Sequence, residues 1–156
     1  MVAGSKRTAL VTGGMGGLGE AICMKLARMG IKVVVTYSPG NTKAAEWLKE
    51  MEAKDYHFSA YACDVADYDS SKACIDKITK EVGPIDILIN NAGITQPVKT
   101  MDITAADWQR IVDVNMTGVL YLSQAFIPHM RERRQGSIAC MSSVSAQRGG
   151  GIFGGP

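Results

Sequence analysis

No apolar run in this chain approaches the ~20 residues that a helix needs to cross a bilayer. Residues 1–7 lead directly into a short apolar stretch, without the long apolar core of a secretory leader. Net charge is small: 17 basic against 15 acidic residues leave +2, too little to make nucleic acid or an anionic membrane the main partner. The only histidines are His57 and His129, neither near a cysteine, and Cys23, Cys63, Cys74 and Cys140 show no C-x-x-C spacing. No metal site is therefore expected. The thiols are expected to be reduced and mostly buried, Cys140 included because it falls in a strand pattern. What remains is a chain of 156 residues, 46% of them hydrophobic, sufficient for one soluble, cytoplasmic domain with a real core.

Two periods alternate along that chain. RTALVT (7–12), IKVVVTY (31–37), 57–63, IDILIN (85–90) and 137–141 read as strands, and the apolar β-branched ones as strands covered on both faces. Between them, 20–29, 42–53, 66–82 and 106–134 carry a helical period. The first helix is read with Ala21, Ile22, Leu26 and Met29 inward, the second with Ala45, Leu48 and either Trp47 or Met51 inward. Gly30 is placed as a left-handed C-terminal glycine and Pro128 as a kink in the last helix. This alternation predicts an α/β fold, a Rossmann-type doubly wound parallel sheet, and right-handed crossovers give it the order 3-2-1-4-5. The domain is assigned to 1–147; residues 148–156, five of them glycine, are expected to form an irregular tail.

The run Gly13, Gly14, Met15, Gly16, Gly17, Leu18, Gly19 follows a predicted strand and opens a predicted helix. Glycines there permit a tight turn and close approach to a pyrophosphate, while the helix start offers free N–H groups and partial positive charge. Two registers fit, G-x-G-x-x-G on Gly14, Gly16 and Gly19, or T-G-x-x-x-G-x-G on Thr12, Gly13, Gly17 and Gly19. NAD sites carry an acidic residue roughly twenty positions on, for the ribose hydroxyls. Here no Asp or Glu lies between Glu20 and Glu46, and the second strand ends in Tyr37, Ser38, Pro39, Gly40, Asn41, Thr42 and Lys43. Small polar groups and a lysine suit a 2′-phosphate that a carboxylate would repel, so NADP(H) is the expected cofactor, with Ser38 and Lys43 beside that phosphate.

In the second register four further motifs follow in order. Cys63-Asp64-Val65 comes after the third strand, Asn90-Asn91-Ala92-Gly93 after the fourth, Asp113-Val114-Asn115 in the long helix, and Ser142-Ser143-Val144 after the fifth strand. With these the chain resembles the short-chain dehydrogenase/reductase family from Arg7 to Gly150. The resemblance implies that Asp64 and Val65 contact adenine, and that Asn91, Ala92, Gly93, Ile94 and Thr95 lie along the cofactor. It also implies that Ser143 and Asn115 belong to the catalytic group. LVTGGMGGLG, Pro39, Trp47-Leu48, NNAGIT and SSVSAQRG look most like the acetoacetyl-CoA reductases of polyhydroxybutyrate synthesis, with the 3-oxoacyl-ACP reductases as near relatives. Pro97 stands where those relatives tend to carry an aspartate near the substrate. The implied reaction is NADPH-dependent reduction of a 3-oxoacyl thioester, most simply acetoacetyl-CoA, by full-length relatives that are homotetramers.

In that family a tyrosine protonates the carbonyl, its pKa lowered from about 10 by a lysine four residues on. The family spacing puts the tyrosine thirteen residues after Ser143, at Pro156, and no lysine follows Lys99. Tyr68 and Lys72 form a Y-x-x-x-K, but on the third helix, away from the expected site. The chain is therefore expected to lack its proton donor and the C-terminal strands of the sheet. Residues 151–156 read as unrelated glycine-rich sequence, as a shift of reading frame or a deliberate truncation would leave. The alternative function is then a catalytically inactive NADP-binding fragment.

Overall fold

The computed structural model describes residues 7–95, 98–144 and 147. The tail expected at 148–156 and the Pro97 position lie outside the described residues. Strands β1 (Thr8–Val11), β2 (Lys32–Tyr37), β3 (Ser59–Ala62), β4 (Ile87–Asn90) and β5 (Ser137–Cys140) form one five-stranded sheet in the order β3-β2-β1-β4-β5. Every pairing is parallel, and Leu10 of β1 stands between Val34 of β2 and Leu88 of β4. Helices α1 (Gly17–Arg28), α2 (Ala44–Ala53) and α3 (Tyr68–Glu81) make the crossovers. Between β4 and β5 come α4 (Ala105–Val112), a π-helical turn at Asp113–Thr117 and α5 (Gly118–Glu132).

Neighbouring residues of a strand face opposite sides of a sheet, so this one carries two apolar layers. Val11, Val33 and Val35 pack with Cys23, Trp47 and Met51 under α1 and α2. Leu10, Val34 and Leu88 pack with Ile75 and Ile78 of α3 and with Leu122 and Phe126 of α5. Gly30 adopts φ +78°, and the bonds from its N–H to the Ala27 carbonyl and from Ile31 N–H to the Leu26 carbonyl close a Schellman motif.

The inward faces agree with the periodic reading at Ile22, Leu26, Leu48, Trp47 and Met51, which pack in or against the core, and differ at Ala21, Met29 and Ala45. On α1 the buried positions are Gly19 and Cys23, while Ala21 is exposed and Met29 is 64% exposed. Small residues sit closest to the sheet there, and the long Met29 turns outward at the helix end. On α2, Ala44, Trp47 and Met51 are buried and Ala45 is exposed. Cys140 is also exposed, because β5 is the edge of this sheet and is little covered on either face among the described residues: Ser137, Ala139 and Cys140 are all exposed.

The opposite end of the sheet is tied by one carboxylate. Asp86, 7% exposed, accepts the Thr8 N–H at 2.9 Å through Oδ2 and the Arg133 guanidinium at 2.6 Å through Oδ1. It thereby holds the start of β1 to the segment leaving α5. Asp86→Ala is expected to lower unfolding free energy by about 2 kcal/mol, since the Thr8 amide loses its acceptor while the half-exposed Arg133 regains water. Urea denaturation of both proteins measures this, and unchanged stability would show that the tie carries no net energy.

Candidate functional site

The C-terminal ends of β1 to β4 open onto a cleft of about 680 Å³, at the point where the strand order reverses between β1 and β4. Gly13 lies at its floor, with Tyr37 and Ser38 from the end of β2 and Asp64 and Val65 from beyond β3. Ala92, Gly93 and Ile94, following β4, form the next wall, and α4 supplies the last. Open parallel sheets bind ligands at this kind of crevice.

Steric contacts explain which glycines the turn needs. Gly13 adopts φ +60°, which favours glycine. A Cβ on Gly14 would lie 2.6 Å from Val35 Cγ1, and one on Gly19 would lie 2.4 Å from the Gly13 carbonyl oxygen. Gly17 has nothing within 4 Å. Gly16 is the N-cap of α1 and makes no side-chain cap, so the first N–H groups of that helix, Gly17, Leu18 and Gly19, are offered by backbone alone. Both the bare helix start and the close approach at Gly19 fit a phosphate-bearing ligand.

The loop is fastened from behind. Thr12, 1% exposed, accepts N–H bonds from Asn91 at 3.0 Å and Ala92 at 2.9 Å through its hydroxyl oxygen. The Asn91 amide returns bonds to the carbonyls of Thr12 at 2.9 Å and Gly13 at 3.2 Å. Asn91 thus joins the Asn-Asn-Ala-Gly segment to the glycine turn. Its predecessor Asn90, 3% exposed, reaches Ser123 and Cys140 through its amide nitrogen, and its Oδ1 is buried without a described partner.

The remaining sequence candidates fall into four groups. Asp64 and Val65 line the cleft; Asp64 Oδ1 accepts the Ala66 N–H at 3.1 Å, and Gly118 of α5 presses so closely that a Cβ there would lie 2.8 Å from the Val65 carbonyl. Asn115 lies in the π turn, where Oδ1 accepts the Ile94 N–H at 2.8 Å and Nδ2 donates to the Ile94 carbonyl at 2.9 Å. Its amide therefore fixes the loop that runs on to Thr95. Ser143 and Thr95 are exposed, with Ser143 just past the C-terminal end of β5 and outside the cleft lining. Lys43 is not on the main cleft: it caps α2 and borders a smaller hollow of about 280 Å³ with Met15, Asn41, Trp47 and two carboxylates, Glu46 and Glu50. The Asn41 amide lies 3.8 Å from Met15 Sδ, which connects that hollow to the glycine loop.

Sequence reading omitted the wall that α4 contributes, Ala106, Asp107, Gln109 and Arg110; Asp113 and Val114, named in their motif without a role in the site, continue that wall in the π turn. The available signal was Thr104-x-x-Asp107, a capping box in which Asp107 N–H donates to Thr104 Oγ1 at 3.1 Å and Thr104 N–H donates to Asp107 Oδ2 at 3.1 Å. Cys63, named in its motif but read only as a buried thiol, also lines the cleft beside Asp64. Among the described residues no group of three or more His, Cys, Asp or Glu could hold a metal. Nor is any helix among them long and apolar enough to cross a membrane.

A parallel sheet in this order, with a glycine turn and a cleft at its reversal point, defines a Rossmann-type domain. The sequence pattern of the short chain dehydrogenases matches residues 7–154, and the chain belongs to that family. It is 52% identical over 153 residues to a short-chain type dehydrogenase/reductase of Sinorhizobium fredii, covering 96% of this chain and 60% of that protein. It is 43% identical over 145 residues to an acetoacetyl-CoA reductase of Cupriavidus necator, covering 93% of this chain and 59% of the relative. Among solved structures, a gluconate 5-dehydrogenase from Burkholderia cenocepacia in complex with NADP and tartrate superposes with a TM-score of 0.80 at 33% identity, over 90% of this chain and 55% of the other. The chain thus spans about 60% of the length of the curated relatives it matches.

Proposed function

We propose that this chain carries the NADP(H) site of a 3-oxoacyl thioester reductase, with acetoacetyl-CoA as the substrate. The observation that supports it most is the cleft itself: a glycine turn at its floor and Ser38, with no carboxylate, where β2 delivers the chain to it. In this reading the α1 N–H groups and Gly13 to Gly19 hold the pyrophosphate. Asp64 and Val65 hold adenine, and Asn91 to Thr95 support the nicotinamide half. Ser38 faces the 2′-phosphate, and Lys43 adds positive charge from the adjoining hollow. The bound nicotinamide supplies the hydride. Ser143 donates a hydrogen bond to the substrate carbonyl, and Asn115 positions the loop beneath. Likeness to the Cupriavidus necator enzyme supports acetoacetyl-CoA over an acyl-carrier-protein thioester, which is the second reading of the substrate.

No Tyr-x-x-x-Lys follows Ser143 in the 156 residues. For the chain by itself the proposal is therefore nucleotide binding without efficient proton delivery. Thermal melts alone, with NADPH and with NADH test the binding. At a hundredfold excess over the dissociation constant a ligand adds about 2.7 kcal/mol, and the larger shift is expected with NADPH. Equal shifts would remove the preference for the 2′-phosphate; no shift with either would remove the cofactor site. Following NADPH absorbance with acetoacetyl-CoA tests the rest: the expected result is no turnover, and steady oxidation would show that another group supplies the proton.

A further inference from the structure

Cys63 and Cys74 were expected to be unremarkable buried thiols, and the structure gives them a relation that spacing does not reveal. Cys63 immediately follows β3, with its N–H bonded to the Tyr37 carbonyl at 2.9 Å. Cys74 lies on α3, and both belong to the same apolar cluster, 3% and 6% exposed. Cys74 stands one helical turn beyond Ser71, whose hydroxyl touches Cys63 Sγ, so the two thiols face each other across that cluster closely enough to interact. Ser71, one helical turn before Cys74, brings a buried hydroxyl to 3.9 Å from Cys63 Sγ and donates to the Asp64 carbonyl at 3.4 Å. Cys63 also lines the cleft, so the pair has one route to small solutes.

The other two thiols differ. Cys140 is exposed, with no second cysteine among the contacts of its Sγ, which receives the Asn90 amide. Cys23 is buried, donates to the Gly14 carbonyl at 3.8 Å, and is pushed up to about 12 chiefly by burial. Among the described residues, Cys63 and Cys74 are the pair of thiols that face each other in one cluster. The neighbouring Cys74 holds Cys63 below the usual thiol range, against burial, while Cys63 and burial hold Cys74 above it. Cys63 lines the cleft and Cys74 does not, so Cys63 is the attacking sulfur and Cys74, behind it on α3, the resolving one.

We propose that Cys63 and Cys74 form a redox modification site, a dithiol in the cleft wall that hydrogen peroxide closes to a disulfide. Cys63 sulfur attacks a peroxide oxygen, an S–O bond forms as the O–O bond breaks, and the departing hydroxide takes a proton to become water. Cys74 sulfur then attacks the Cys63 sulfur and displaces the second oxygen as water. Two thiols lose two hydrogens and two electrons, and one peroxide becomes two waters. The disulfide staples the middle of α3 to the Cys63-Asp64-Val65 wall. Because Cys63 is reached through the cleft, a nucleotide bound there shields it; this clause alone rests on the proposed cofactor site.

The test is peroxide treatment of the full chain, alkylation of remaining thiols, digestion without reductant and peptide mass mapping. The expected result is a cross-linked peptide pair joining Cys63 and Cys74, two hydrogens lighter than the thiols and reversed by dithiothreitol. Cys74→Ala is expected to abolish it, and a cooperative melt of that variant shows that it remains folded. Recovery of both cysteines alkylated while Cys140 is oxidised, or cross-links mainly to Cys140, would overturn the proposal. NADPH at a hundredfold excess over its dissociation constant is expected to slow closure about a hundredfold, since only the unbound fraction reacts. An unchanged rate under saturation verified by the melt overturns the cleft route. Cross-linking in the free chain stands whether or not NADPH binds, so failure of the cofactor reading is seen in the melt alone.

Discussion

Replacing Gly19 with alanine is expected to destabilise the chain by about 2–3 kcal/mol and to abolish nucleotide binding in the same stroke. A Cβ there would stand 2.4 Å from the Gly13 carbonyl oxygen, 2.9 Å from Asn91 Nδ2 and 2.9 Å from Gly14 Cα. Two of these are backbone atoms, which cannot swing aside as a side-chain end would. Relief requires α1 to retreat from the turn, which moves its first N–H groups away from the cleft floor. Gly17→Ala is the control, because nothing lies within 4 Å of its would-be Cβ. It is expected to leave stability within about 0.5 kcal/mol. Guanidinium titrations of both variants, with NADPH affinity measured alongside, check the pair of results. If Gly17→Ala binds poorly while remaining stable, Gly17 serves the ligand's approach and not the fold. If Gly19→Ala is as stable as the parent, the helix–turn contact is softer than this packing requires.

The contrast between those glycines bears on what the residues alone could disclose. Both stand in the same motif register, and a string of letters treats them alike; only the fold shows that one meets backbone and the other meets nothing. The sheet order was legible because it follows from local periods and one handedness rule. Element ends were less so. Strand β3 begins at Ser59 instead of His57 because Phe58 stacks on Trp47 at 5.6 Å and on Tyr56 at 5.8 Å, outside the ladder. The single helix expected over 106–134 is divided by the turn at Asp113–Thr117. Asn115 there is held by Ile94 and Gly118 by Val65, partners 21 and more residues away, which no local period records. π turns recur at functional sites, and this one carries the asparagine that the family resemblance had already singled out. Lys43 and Ser143 were named from motif position, and position along the chain does not say which hollow a side chain borders. The meeting of Cys63 with Cys74 was invisible for the same reason, since neither spacing nor composition places the end of a strand under a helix face.

Thr12 shows how much a residue outside the ligand's reach can control. Thr12→Val keeps the shape of the side chain and removes only the hydroxyl, yet it is expected to cost about 2–4 kcal/mol, because two backbone donors lose their acceptor in a dry interior. Those donors are the N–H groups of Asn91 and Ala92, at 3.0 and 2.9 Å, and the Thr12 position is 1% exposed, so water has little route to replace the oxygen. The loss spreads further than stability. Asn91 Nδ2 holds the carbonyls of Thr12 and Gly13, so a shifted Asn91 releases the glycine turn as well, and weaker NADPH binding should accompany the lowered melting midpoint. Thr12→Ser restores the hydroxyl and loses one methyl; it is expected to recover binding and all but about 1 kcal/mol of stability. Melts of the three proteins with and without NADPH separate the two contributions. A valine variant as stable as the threonine parent would mean that both amides find other acceptors, and that the side chains of Asn91 and Asn115 suffice to hold the loop after β4.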